Sequence, residues 1–404
     1  MVKISFITIG NEILLGKTVN TNLAFIGMQL SNNGLSLSYE VTISDDQNAI
    51  ITALEELWAK SDVVITSGGL GPTRDDVTKK SIAGFFQTQL EFRDDVWDDI
   101  KLLYQRKNKS IPEIVRTQAE VPKGFNTIQN HSGTAPGLHF QTDGKNFFAL
   151  PGVPYEMKPM VTEYIIPFLK KQYSPKEFYC KTIHTIGILE AELSERVSDI
   201  EPPPDTNIAF LPQLGKVDIR IYGNNKDGFQ ETIDKIEERL GEYIYGYDDD
   251  TIVGLCHEKL LRSGKKLAVA ESCTGGLIQN LFTNNSGSSN YFAGGVISYS
   301  NEAKMKLLGV KESTLEKFGA VSKETVEEML RGVRTLFDAD YAIAVSGIAG
   351  PTGGTKEKPV GLVFVGVNIE GKLLVKRFDF SGDRLQVKQQ SAENAIYLLL
   401  KNLS

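Results

Sequence analysis

Histidine is scarce in this chain of 404 residues: His131, His139, His184 and His257 are all there are. Only His257 comes near the most chemically suggestive stretch of the sequence, on a helix-like run ahead of it, so a serine–histidine–acid triad is poorly supplied. Cysteine is scarcer still. Cys180, Cys256 and Cys273 are odd in number and far apart, which speaks against a disulfide framework and a zinc site and points to a reducing, cytoplasmic compartment. No run of about 18 apolar residues occurs, so neither a membrane span nor a membrane partner is expected. The opening Met1-Val-Lys-Ile-Ser-Phe-Ile-Thr-Ile-Gly10 carries a single lysine and a short apolar run, and reads as a first strand rather than a signal peptide. A basic surplus is missing too: 44 Lys and Arg against 51 Asp and Glu give a net charge of −7, which argues against a nucleic-acid partner. No internal repeat is visible. What remains is an ordinary globular composition, 41% hydrophobic and 24% charged, long enough for two or three domains.

The most informative stretch runs from Leu267 to Leu277. Leu267-Ala-Val-Ala270 reads as a short buried strand, Glu271-Ser272-Cys273-Thr274-Gly275-Gly276 as a tight polar turn, and Leu277, Ile278, Leu281 and Phe282 as the apolar face of a helix. Strand, sharp turn and helix lift a nucleophile out of the backbone and aim the free N–H groups of the helix start at a developing oxyanion. The motif is not G-x-S-x-G, and both Ser272 and Cys273 are candidate nucleophiles. The alternative is a capped glycine-rich turn with Cys273 a small core residue. Downstream, Gly294 to Lys304 reads as a strand ending near Tyr299 and then a helix start. Burial that depresses a lysine pKa leaves an amine able to activate a serine. With histidine so sparse, Ser272 and Lys304 are the better-supplied pair.

Taken with Val345-Ser-Gly-Ile-Ala-Gly-Pro351, these residues resemble the nicotinamide-nucleotide amidohydrolase domain of the CinA (competence/damage-inducible protein A) family, over residues 251–404. The resemblance implies that Ser272 attacks the carboxamide of nicotinamide mononucleotide, with Lys304 as base and Tyr299 as its partner, releasing nicotinic acid mononucleotide and ammonia without a cofactor. The N–H groups of Thr274, Gly275 and Gly276 are expected to receive the oxyanion. Ser346, at the end of a strand Tyr341–Ser346, and the loop after it, Gly347 through Gly350 to Gly354, are expected to contact the substrate, the loop, which lacks a Walker ending, holding the ribose phosphate with its backbone; a flexible surface loop is the alternative. Arg384, opening a last helix, is expected to fork a phosphate or carboxylate, a surface salt bridge being the alternative. Helices are expected at Thr251–Ser263, Thr314–Phe318 and Lys323–Phe337, and a hairpin over Gly361–Asn368 and Leu373–Phe380.

Residues 1–170 alternate strand and helix signals: Val2–Ile9, Thr21–Asn33, Ser36–Ile43, Gln47–Lys60, Asp62–Thr66. That order predicts a parallel sheet with crossover helices and ligands at the carboxyl ends of its strands. The loop Gly10-Asn11-Glu12 to Gly16-Lys-Thr18 imitates a P-loop but has five residues between its glycines, one too many, and bulky Ile13, Leu14 and Leu15 where a phosphate cradle wants small ones. A second loop, Ser67-Gly68-Gly69-Leu-Gly71 through Asp75-Asp76-Val-Thr78, offers close backbone approach to a phosphate and acids for a divalent metal; a helix cap is the alternative reading of those acids. A third set, Ser132-Gly133 to Gly137 with Leu150 to Glu156, completes a nucleotide cleft or is simply turn-rich. These motifs resemble the molybdopterin-binding-like amino domain of the same family, a three-layer α/β fold, and Gly68 to Thr78 also looks like molybdenum-cofactor adenylyltransferases. The resemblance implies a pyrophosphatase acting on ADP-ribose with Mg or a similar divalent metal, Asp76 being the matched acid and Asp75 and Asp45 further ligands.

Between them, residues 171–250 read as strand, helix, two strands and helix, ending in an acidic linker Asp248-Asp-Asp250. The order resembles the family's K-homology-like insert, but no G-x-x-G loop occurs, so a spacer or dimerisation element is expected and not an RNA clamp. A homodimer is what the resemblance implies. Two other readings stay open: a nucleotide-binding regulator without turnover, and a molybdopterin-binding protein.

Overall fold

Short stretches rich in β-branched or aromatic residues make most strands of the amino-terminal domain, and the segments between them make its helices. In chain order these are β1 (Ile4–Ile9), α1 (Asn11–Leu14), α2 (Thr21–Ser31), β2 (Leu37–Ile43), α3 (Gln47–Lys60), β3 (Val63–Ser67), α4 (Thr78–Phe85), β4 (Leu90–Phe92), α5 (Asp94–Arg106), β5 (Glu120–Pro122), β6 (Asn126–Ile128), β7 (Gly137–Thr142), β8 (Lys145–Leu150), α6 (Pro154–Met160) and α7 (Ile166–Tyr173). The computed structural model describes residues 2–73 and 76–403. Six strands form one sheet in the order β2-β1-β3-β8-β7-β6. Along β1, Ile7 and Ile9 enter a core on one face, while Ile4 and Phe6 enter a second core on the other.

The purely parallel sheet expected from the sequence is corrected at one edge. β1, β2, β3 and β8 are parallel, but β7 runs antiparallel to both β8 and β6. The cause is local: Asp143 and Gly144 both have positive φ, 49° and 77°, which is the two-residue turn that closes a hairpin. Gly68, just past β3, is required by contact as well as by φ (120°). A Cβ there would lie 2.0 Å from the carbonyl oxygen of Ile9, where the loop crosses the end of β1.

The chain separates into two units, Met1–Cys180 with Gly223–Lys226, and Lys181–Tyr222 with Asp227–Ser404. The middle segment holds β9 (Tyr179–Ile186), α8 (Glu190–Val197), β10 (Thr206–Gln213), β11 (Lys216–Gly223), α9 (Lys226–Leu240) and β12 (Ile244–Tyr247), with strand order β10-β11-β9-β12. β12 was not expected from the sequence, and the acids after it are more than a linker. Asp248 accepts from the N–H of Thr182 at 2.9 Å, and Asp250 from the N–H of Tyr247 at 2.9 Å, fastening β12 beside β9.

The carboxy-terminal part runs α10 (Ile252–Ser263), β13 (Leu267–Glu271), α11 (Leu277–Thr283), β14 (Phe292–Ile297), α12 (Asn301–Leu308), α13 (Glu312–Phe318), α14 (Lys323–Leu336), β15 (Tyr341–Gly347), β16 (Leu362–Ile369), β17 (Lys372–Asp379) and α15 (Arg384–Asn402). Its sheet has the order β14-β13-β15-β16-β17, with β13 parallel to both neighbours and wholly buried. The two faces differ. Leu267, Val269, Ile343 and Val345 pack in a core with residues of α10 and α15, whereas Ala268, Ala270, Ala342 and Ala344 meet Val326, Met329, Leu330 and Val333 of α14. Lys216 of β11 pairs with Glu393 of α15 at 2.7 Å. Among the described residues, no helix is long and apolar enough to cross a membrane.

Candidate active site

Adjacent parallel strands deliver the two groups the sequence singled out. β13 ends at Glu271, and Ser272 extends its ladder by donating its N–H to the carbonyl of Val345 at 3.0 Å. Beside it, β14 continues into Ser298, whose N–H donates to the carbonyl of Glu271 at 2.8 Å. Ser300 then caps α12, accepting from the N–H of Ala303 at 3.1 Å, and Lys304 lies one turn into that helix. The ammonium of Lys304 is 3.0 Å from the hydroxyl of Ser272, 2.7 Å from the carbonyl of Ser298 and 3.3 Å from that of Tyr299. The side chain is 1% exposed, and burial pushes its pKa down to about 8, against a weaker opposing influence of Cys273. A neutral amine in this place keeps two N–H bonds for the two carbonyls and turns its lone pair to the Ser272 hydroxyl.

The same geometry separates the two candidate nucleophiles. Cys273 packs among core residues, 5% exposed, and burial above all pushes its thiol up to about 12. No histidine enters: His257, nearest in sequence, meets the hydroxyl of Tyr291 at 2.9 Å.

Several expectations are corrected. The start of α11 cannot receive an oxyanion as supposed, because the carboxylate of the fully buried Glu271 already accepts from the N–H groups of Gly276 (2.9 Å), Ile278 (3.2 Å) and Gln279 (2.9 Å). The N–H of Gly275 is likewise taken, by the carbonyl of Ser272 at 3.2 Å; those of Thr274 and Cys273 meet no backbone carbonyl but lie toward the Cys273 sulfur, whose pKa they draw down against burial. Tyr299 touches Lys304 through its carbonyl; its phenol is 3.0 Å from Arg384, and the residue is 61% exposed. Ser346 is buried and donates its hydroxyl to the carbonyl of Ala320 at 2.7 Å, which removes it as a ligand contact. Gly347, in β15, pairs with Val363 of β16 and so belongs to the sheet. Arg384 meets the carbonyl of Gly350 at 2.8 Å as well as Tyr299, so it is no surface salt bridge but ties the second glycine-rich loop to the rim of the site. A cleft of about 580 Å³ lies beside the nucleophile turn, with Thr274, Gly275, Leu281, Leu385 and Lys388 among its walls.

In the amino-terminal domain, the loops after β1, β2, β3 and β8 converge. Asn11 donates its N–H to Asp45 at 2.8 Å, the N–H of Gly68 bonds the carbonyl of Leu150 at 3.1 Å, and Gly69 lies against the hydroxyl of Thr78. Gly10 and Gly71 crowd the carboxylates of Glu12 and Asp76, and Gly133 that of Glu156, which accepts from Asn130 at 2.7 Å. Gly137 opens β7 against Ile128 and Met160, in the core and outside the cleft. Asp76 takes the N–H of Thr73 at 2.9 Å and also its hydroxyl. Asp75 lies outside the described residues. Among the described residues, no three or more acids, histidines or cysteines gather around a common point; of the expected ligands, only Asp76 and Asp45 are among those residues.

Sequence reasoning missed several groups. Glu271 and the Ser298 carbonyl complete the carboxy-terminal site; an acid just ahead of a helix start was the available signal for the first. Asn22 joins the hydroxyl of Ser67 (3.0 Å) to the carbonyl of Gly152 (2.8 Å) under the amino-terminal cleft, and buried Lys79, pushed down to about 8 by desolvation, donates to the carbonyl of Thr117 at 2.6 Å.

Residues 249–403 match the family model described as CinA C-terminal domain, residues 5–171 the Probable molybdopterin binding domain, and residues 180–246 the Damage-inducible protein CinA KH domain. The chain is 41% identical over 415 residues to a CinA-like protein of Chloroherpeton thalassium, with 98% of each covered. It is 39% identical over 401 residues to a CinA-like protein of Kosmotoga olearia, covering 98% of this chain and 97% of that one. A crystal structure of a competence or damage-inducible protein from Enterobacter asburiae aligns with 39% of this chain and 100% of its own, at 37% identity and a TM-score of 0.37.

Proposed function

The chain belongs to the CinA family, and on that premise we propose that its carboxy-terminal domain is a serine–lysine amidohydrolase that converts nicotinamide mononucleotide to nicotinic acid mononucleotide and ammonia. The observation that carries this reading is the 3.0 Å contact between Ser272 and a buried Lys304 whose pKa is pushed down to about 8. As Ser272 Oγ bonds to the carboxamide carbon, its proton passes to the neutral Lys304 amine. That proton then goes to the leaving nitrogen as the C–N bond breaks and ammonia departs. Water, deprotonated by the same amine, cleaves the acyl-serine and restores the hydroxyl. We assign the tetrahedral oxyanion to the N–H groups of Cys273 and Thr274, which no backbone carbonyl takes up.

The test is ammonia release from nicotinamide mononucleotide, without added metal, by wild type and Ser272→Ala. Release that vanishes in the variant is expected; none from folded wild type would end the amidohydrolase reading and leave a nucleotide-binding regulator in its place. Cys273→Ala should keep most of the activity. If it alone abolishes turnover in folded protein, a thiolate mechanism replaces this one.

The amino-terminal domain supports a second reading, because the loops after β1, β2, β3 and β8 converge at the strand ends where α/β sheets hold ligands. We propose that these loops take a phosphate-bearing nucleotide of the ADP-ribose kind. Calorimetric titration with ADP-ribose, with and without Mg²⁺, tests it: binding in neither condition removes the reading.

A further inference from the structure

Nature has placed two nucleophiles side by side at Ser272 and Cys273, and the residue before them is a carboxylate with no exposed surface. Glu271 is not there to meet Lys304. Its two oxygens are spent on the N–H groups of Gly276, Ile278 and Gln279, at 2.9, 3.2 and 2.9 Å. Unpaired N–H groups of a helix start concentrate positive potential, and a cysteine near them tends to ionise. Here that potential is cancelled by a full negative charge held within the turn. Cys273 packs against the apolar core on the far side, while Ser272, its N–H fixed on the Val345 carbonyl, faces the Lys304 amine at 3.0 Å.

We propose that Glu271 is a positioning residue that decides which of the two side chains is the nucleophile: it gathers the start of α11 onto its own carboxylate, holding Ser272 toward Lys304 and keeping Cys273 a neutral, inward-packed thiol. The part concerning turnover rests on the amidohydrolase reading; the part concerning Cys273 does not. Burial raises the Cys273 pKa most and the Glu271 charge adds to it, against the lowering by the Cys273 and Thr274 N–H groups and by Lys304, and the net is upward, which agrees with this assignment. The role requires charge and reach together. Glu271→Gln removes the charge and sets an amide N–H₂ against backbone donors. Glu271→Asp keeps the charge but shortens the reach.

The experiment uses the full chain and two readouts. One is the pH profile of alkylation by iodoacetamide at Cys273, resolved by peptide mass spectrometry, with the Cys256 peptide in the same digest reporting general loosening. The other is kcat and KM for ammonia release from nicotinamide mononucleotide. For Glu271→Gln, Cys273 alkylation at pH 8 should rise roughly tenfold or more, the change that one pKa unit brings, with its midpoint moved to lower pH and the Cys256 profile unchanged. In the same variant kcat should fall by roughly tenfold or more with KM little altered, as when positioning of a reacting group is lost. Glu271→Asp should lose kcat while Cys273 stays as unreactive as in wild type. An unchanged Cys273 profile in Glu271→Gln overturns the proposal. So does equal alkylation in the two variants, the signature of a loosened turn; this second comparison decides the matter even where Glu271→Gln is poorly folded. Wild type that releases no ammonia would defeat the amidohydrolase reading alone, since the alkylation comparison needs no turnover.

Discussion

Lys304 sets chemistry against stability. Buried, and pushed from the ordinary 10.5 to about 8, it is partly neutral at physiological pH. Turnover that needs the free amine should therefore rise with pH and level off above about 8, and a kcat profile flat from pH 6 to 9 would contradict that role. Lys304→Arg should be nearly inactive, because a guanidinium keeps its proton. The stability sign follows from the same shift. Below pH 8 folded and unfolded chains both bind the proton, and the cost of burying the charge is present in full. Between about 8 and 10.5 the unfolded chain binds more protons than the folded one, so stability rises with pH. Relative to Lys304→Met, wild type should gain on the order of 2–3 kcal/mol across that window in urea denaturation. Ser272 and Lys304 were legible in the sequence because each sits at a local signal, a strand-to-turn break and a helix start. Glu271 as the acceptor, and the Ser298 carbonyl as a partner of Lys304, were not. The first left only an acid ahead of a helix start as its signal, and the second is set by the course of the turn between β14 and α12, which no side-chain pattern encodes.

At the scale of elements, what brings α12 to the nucleophile is how closely α14 lies against it. A Cβ on Gly332 of α14 would fall 1.9 Å from the carbonyl oxygen of Leu308, the last residue of α12. Gly332→Ala should therefore push α12 outward, costing roughly 1–3 kcal/mol in thermal denaturation as overpacked contacts do. It should also lower kcat for ammonia release, since Lys304 rides on the displaced helix; wild-type kcat in a destabilised variant would show that the site tolerates the shift. Most elements of the carboxy-terminal part were legible to within a residue or two, because β13, β15 and β16 are nearly continuous apolar runs and α10, α12, α14 and α15 start at side-chain caps. β12 escaped because Ile244–Tyr247 is only half-buried and short. The antiparallel course of β7 escaped because it is set by a two-residue turn between runs that look alike in either direction.

Across the whole molecule, the middle strands and the carboxy-terminal sheet belong to one unit, and the Lys216–Glu393 pair is one of its ties. The two side chains are 15% and 20% exposed, so Lys216→Met leaves a carboxylate short of water and without its cation. A loss of roughly 1–2 kcal/mol is expected in urea denaturation, partly recovered in Lys216→Met with Glu393→Leu; no loss would mean that solvent screens the pair. The amino-terminal cleft was readable as loops at strand ends, whereas its interior bonding was not, since Asn22 reaches Gly152 only once the chain has folded. The alanine face of the last sheet has a consequence for how this molecule can change. Along β13 and β15, side chains alternate between a face filled by Leu, Val and Ile and one where alanine leaves room for a helix and nothing else. In a saturation library scored for survival, enlarged residues should be accepted and refused in turn along each strand, so that the two-residue rhythm of the backbone would be written into the pattern of lineages that persist.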